Sequence, residues 1–145
     1  MYVPAELQPP ARALLTNQKI YTTHAAGKQV SLLPGLLAAL DAVLVDIRFA
    51  PPAQPIKWSK NYLKLLLRNR YLHVPTLGDR FYNDKNRSDK PAIHNLTLGI
   101  KIITELKINV LLFCACETAE SCHRHFIGRE LIGQGKEIIK IEAWD

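Results

Sequence analysis

Two short apolar runs constrain this chain more than any other feature. Residues 42–49 read AVLVDIRF and residues 108–114 read INVLLFC. Both are rich in β-branched and bulky apolar groups, and both are too short to be self-sufficient helices. Runs of this kind are strands buried on both faces. Helical patterns lie on either side of them. Residues 31–40 predict a helix with Ser31 as cap and Pro34 tolerated in the first turn. Residues 57–70 predict a second, with Trp58, Tyr62, Leu65 and Leu66 as its apolar groups. Residues 92–107 predict a third, carrying Ile93, Leu96, Ile100, Ile103 and Leu106. Residues 123–134 predict a fourth, ended by Gly135. Shorter strands are expected at 19–22, 71–74 and 137–142. Repeated strand–helix alternation implies parallel strands covered by helices on both faces. The expected fold is therefore α/β, a three-layer α/β/α domain over 19–145 with a mostly parallel central sheet of about five strands. Residues 1–18 hold Pro4, Pro9 and Pro10 and read as an irregular arm. Residues 75–92 read as a polar, charged loop of a length that suggests function or mobility.

Composition sets the outer bounds. The chain has 145 residues, 48% hydrophobic and 22% charged, which excludes wholesale disorder and collagen-like order. The N-terminal residues lack the charged and apolar regions of a secretory signal. Residues 29–40 are too short, and too interrupted by Pro34 and Gly35, to cross a bilayer. A cytoplasmic protein without a membrane partner is expected. Three cysteines, Cys114, Cys116 and Cys122, lie close together, and an odd count in a reducing compartment argues against a disulfide framework.

The net charge of +6 is local. Residues 57–90 hold nine basic side chains and three acids, which accounts for the whole excess. Lys57, Lys60, Lys64 and Arg68 recur at helical spacing and form a cationic stripe, continued by Arg70, Arg80, Lys85, Arg87 and Lys90. The plain reading is a solvated face. The sharper one is a patch for nucleic acid or an anionic substrate.

The chemistry is expected at the carboxyl ends of the strands, where α/β sheets place their sites. Asp46 and Arg48 lie two apart and face the same side. They either form an internal ion pair that ties the sheet to a loop or bind a ligand. His73 sits late on its strand, before Pro75. Strand 108–114 leads to Glu117, then Cys122-His123-Arg124 opens a helix. A helix N-terminus offers N–H donors and a positive dipole end, so cations placed there point to water or share an anion with the backbone. The same field stabilises a Cys122 thiolate. No arginine stands six residues after Cys114 or Cys116, so the phosphate loop of tyrosine phosphatases is absent. Cys114, Cys116, Cys122 and His123 supply a zinc-competent set of donors. Their spacing is unlike that of zinc knuckles, and adjacent Cys122 and His123 would reach one metal only through a strained turn. No cofactor is expected, with zinc as the alternative.

The combination of Val45-Asp46-Ile47-Arg48 with Pro51, Tyr71, His73, Pro75, Leu77, Gly78, Leu112, Cys114 and Cys122-His123-Arg124 resembles the family catalogued as domain of unknown function 488. The resemblance begins with Ile20-Tyr21-Thr22 and covers residues 19–142. It implies a compact α/β domain of cytosolic proteins whose motif residues form a site, with no settled activity. The chain departs from the pattern at three places. His24 stands near an expected glycine, Asp79 replaces another, and Cys116 replaces an acid that Glu117 follows.

The leading expectation is an enzyme acting on a small anionic, phosphorylated or nucleotide-like substrate, with hydrolysis among its reactions. Arg48 and Arg124 would hold the anion, Asp46 or Glu117 would act as base, and His73 or His123 would move a proton. Cys122 is the alternative nucleophile. The rival is a nucleic-acid-binding module built on 57–90, with the cysteine segment structural or metal-binding. Oligomeric state does not follow from these residues.

Overall fold

The computed structural model describes residues 18–25, 27–79, 93–114 and 123–144. Five strands form one sheet: β1 (Ile20–His24), β2 (Ala42–Asp46), β3 (Tyr71–His73), β4 (Asn109–Cys114) and β5 (Ile138–Lys140). Their order is β3-β2-β4-β1-β5, and every pairing is parallel. Four helices connect them: α1 (Leu33–Leu40), α2 (Lys60–Leu67), α3 (Leu96–Leu106) and α4 (His123–Gly133). The alternation of side chains along each strand sorts the core into two clusters. Val45, Val110 and Leu112 point to α3 and α4, where Ile100, Ile103, Ile127 and Leu131 meet them. Leu44, Tyr71, Leu111 and Phe113 point to α1 and α2, against Leu33, Leu37, Leu63 and Leu67. The three-layer α/β/α arrangement expected from the sequence is present.

Several boundaries differ, each for a local reason. Residues 47–49 do not continue β2. The Arg48 backbone N–H donates to Asp46 Oδ1 at 3.1 Å, an Asx-type turn that closes the strand. Ser31 does not cap α1; residues 30–32 are a 3-10 turn, and Pro34 occupies the first turn. Helix α2 is shorter than the 57–70 periodicity suggests. Ser59 is its N-cap, accepting from the Tyr62 N–H, and Arg68 at φ 53° ends it. Its buried groups are Leu63 and Leu67, with Trp58 on the preceding turn. Tyr62 and Leu65, expected to face the core, stand exposed among the lysines. Asn95 caps α3, so that helix starts later than the apolar pattern.

The connections fix where the sheet opens. The chain leaves β1 through α1 toward β2, and leaves β4 through α4 toward β5. These two crossovers run in opposite directions on opposite faces. The neighbours β2 and β4 send their chains away from each other, toward β3 and β5, and the carboxyl ends of β1 and β4, His24 and Cys114, are in register. Among the described residues no helix is long and apolar enough to cross a membrane.

Candidate functional site

The residues singled out in the sequence divide between two places. The first is the turn after β2. Asp46 is fully buried and receives the Arg48 guanidinium as a fork, Nε to Oδ1 at 2.8 Å and Nη2 to Oδ2 at 2.7 Å. The Tyr71 hydroxyl donates to the same Oδ2 at 2.6 Å. The Arg48 guanidinium carbon also lies 5.2 Å from the centroid of the Phe113 ring, a cation–π contact. Burial opposes the Arg48 charge, but the hydrogen bonds and charge of Asp46 outweigh it and hold the guanidinium above its ordinary pKa. Burial, reinforced by the neighbouring Asp46 carboxylate, pushes the Tyr71 hydroxyl well above its usual range, so it stays a donor. The pair is thus an internal ion pair, one of the two alternatives the spacing left open. Its charges are taken up by each other, so this arrangement presents Arg48 as a holder of the turn rather than of an anion.

Two histidines grip the backbone that follows. His73 Nε2 is 2.6 Å from the Arg48 carbonyl oxygen, and His123 Nε2 is 2.9 Å from that of Ile47. A carbonyl only accepts, so both rings carry their proton on Nε2. Burial lowers the His73 pKa below 6.5, against the opposing pull of the Arg48 carbonyl and Asp46. Gly78 completes the clamp. A Cβ built there would sit 2.3 Å from the Phe49 Cα, so only glycine admits this approach. The motif residues Asp46, Arg48, His73, Gly78 and His123 therefore hold residues 47–49 from two strands, a loop and a helix at once. Tyr71, named in the sequence only through the family resemblance, belongs to this set as well; nothing in its sequence setting marks a hydroxyl that reaches across to the next strand.

The second place is a crevice between α4 and the carboxyl halves of β1 and β5. Its volume is about 350 Å³. Among the described residues, Arg124, His125 and Arg129 line it from α4, His24 from β1 and Lys140 from β5, with Glu142 as the single acid. Among the described residues, Arg124 is the one predicted site residue it contains. His125 and Arg129 stand at i and i+4 on one helix face; that spacing was the available signal. Lys140 could be placed only once β5 was known to sit beside β1.

The expected convergence of all candidates is not what the described residues show. Cys114 is buried in the cluster beneath α3 and α4. Glu117, Cys116 and Cys122 lie outside the described residues, so the zinc string and the Cys122 nucleophile are not placed. Among the described residues no group of three His, Cys, Asp or Glu side chains is arranged to hold a metal ion. Of the basic segment, Lys57, Lys60, Lys64, Arg68 and Arg70 are described, whereas Arg80, Lys85, Arg87 and Lys90 are not. Arg70 is tied down, donating to the Ala42 carbonyl at 2.9 Å. No family model, curated protein or solved structure matches the chain.

Proposed function

We propose that the protein is an enzyme for a small anionic, phosphorylated or nucleotide-like substrate bound at the carboxyl edge of its sheet. One observation carries the reading: the α4–β1–β5 crevice is concave, of small-molecule size and, among the described residues, lined by cations with one acid. It lies by the carboxyl ends of β1 and β5, the edge of the sheet at which α/β domains bind ligands. Arg129 and Lys140 supply the charge that meets the anion, with Arg124 at the helix start. His24 and His125 line the same space and are the groups best placed to exchange a proton with a bound substrate. Glu117 and Cys122 retain the base and nucleophile roles argued from their sequence position, between the end of β4 and the start of α4. The Asp46–Arg48–Tyr71 set and His73 serve as scaffold in this reading. The kinship with the domain of unknown function 488 family is part of the same proposal.

Calorimetric titration of the purified chain with inorganic phosphate and with nucleoside monophosphates tests it. Saturable binding is expected, weakened about tenfold by Arg129→Gln or Lys140→Gln, since each removes a charge-assisted contact. Equal binding by both variants and the parent chain would sink the reading.

A further inference from the structure

The exposed apolar groups of α2 have no part in the site just described. Leu65 is 77% exposed and Ile56 is 60% exposed, and Tyr62 is half-uncovered beside them. With Pro51 and Pro52 from the loop after β2 they line a groove of about 500 Å³, and Lys60 stands on its wall. Lys64 follows Lys60 by four residues on the same helix, so the two cations are neighbours on its surface, and Lys57 lies on the 3-10 turn before it, next to Ile56. From residue 49 to residue 78 the chain carries five basic side chains and no acid. The fold turns the other face of α2 inward, with Leu63 and Leu67 in the core. The apolar groups outside therefore contribute nothing to that core, and they lie beside Lys60 in a stretch of chain that carries no acid.

We propose that this groove docks an acidic, apolar-containing peptide segment of a partner protein. Its carboxylates would meet Lys57, Lys60 and Lys64, and its aliphatic or aromatic side chains would cover Ile56, Tyr62 and Leu65. Charge complementarity selects the sign of the partner, since any acidic segment finds no repelling carboxylate along residues 49–78. The concave shape and aliphatic lining select a peptide. A single strand of nucleic acid requires stacked aromatic platforms along a cationic track, and here Leu65 and Ile56 dominate. A membrane surface requires a protruding apolar face, whereas the Pro51–Pro52 loop walls this one. A surface of this size supports a weak, transient contact.

The test is selection of short random peptides displayed on phage against the full chain, followed by anisotropy titration of the selected peptides. Enrichment of Asp and Glu interleaved with Leu, Phe or Val is expected. Leu65→Ala and Ile56→Ala should each weaken those peptides about tenfold, and Lys60→Glu should weaken them at least as much. These side chains are exposed, so unchanged thermal unfolding confirms that the variants fold. Selected peptides without acidic enrichment would overturn the proposal. So would peptide binding that all three variants leave intact. Displacement of the peptides by a single-stranded oligonucleotide or by phosphatidylserine vesicles, at equal or lower concentration, would assign the surface to those ligands instead.

Discussion

Replacing Arg48 by Met tests whether the ion pair after β2 is structural. Asp46 is 0% exposed and Arg48 is 8% exposed, so the carboxylate has no water to replace the guanidinium. Without the guanidinium, Asp46 keeps the 2.6 Å hydroxyl of Tyr71 and the 3.1 Å backbone N–H of residue 48, but its charge has no counter-charge. Breaking a buried pair by deleting one partner costs about 3–5 kcal/mol. Methionine retains the packing over Phe113 and loses the cation–π attraction, which adds a few tenths to ~2 kcal/mol. A loss of this size consumes a large part of a typical domain's stability of ~5–15 kcal/mol. Urea unfolding followed by the fluorescence of Trp58 and Trp144 measures it. The double variant Asp46→Asn with Arg48→Met removes the stranded charge while leaving an acceptor for Tyr71. It should regain roughly 1–3 kcal/mol relative to Arg48→Met alone. A single-variant cost under ~1 kcal/mol, or a double variant as unstable as the two singles summed, would refute the reasoning.

Three further outcomes follow from the same geometry. His73 has its folded pKa lowered by burial, so its neutral form is the stabilising one; that stability is complete above about 6.5 and is lost as pH falls through the folded value. His73→Gln, whose amide N–H can still reach the Arg48 carbonyl, should flatten the dependence of the urea midpoint on pH in that window, and an unchanged dependence would contradict the assignment. Gly78→Ala forces a Cβ to within 2.3 Å of the Phe49 backbone and should cost at least ~1–3 kcal/mol in chemical unfolding. Thr23 accepts from the Trp144 indole N–H at 2.8 Å and donates to the Ile141 carbonyl at 2.9 Å. Thr23→Val leaves both groups without that partner and should lower stability by ~1–3 kcal/mol, read by the same assay.

The fold was legible because its signal is local. AVLVD and NVLLFC bury both faces, and only a strand with helices above and below does that. Ends were less legible, because they depend on single hydrogen bonds. Asp46 ends β2 with its own side chain, and Ser59 starts α2 inside a periodic pattern that runs past it on both sides. The orientation of α2 misled for a related reason. Trp58 belongs to the preceding 3-10 turn, so extrapolating an α-helical period from it rotates the helix and points Leu65 inward. The site was legible only in part. Asp46, Arg48, His73 and His123 gather around the turn after β2, yet their roles depend on which atom meets which. Residues two apart can share a face and either bind a ligand or bind each other. Only the 2.7 and 2.8 Å fork distinguishes these outcomes. The crevice cations Arg129 and Lys140 come from different elements, and they meet because α4 packs against β5, which pairs with β1.

The most direct test of the anion-site claim is a crystal structure of the chain grown with phosphate or a nucleoside monophosphate. The account places the phosphoryl group in the crevice between α4 and the ends of β1 and β5, within hydrogen-bond distance of Arg129 or Lys140. A phosphoryl group bound instead against Arg48 and Asp46, with their fork opened, would contradict it, as would one held only along Lys57, Lys60 and Lys64.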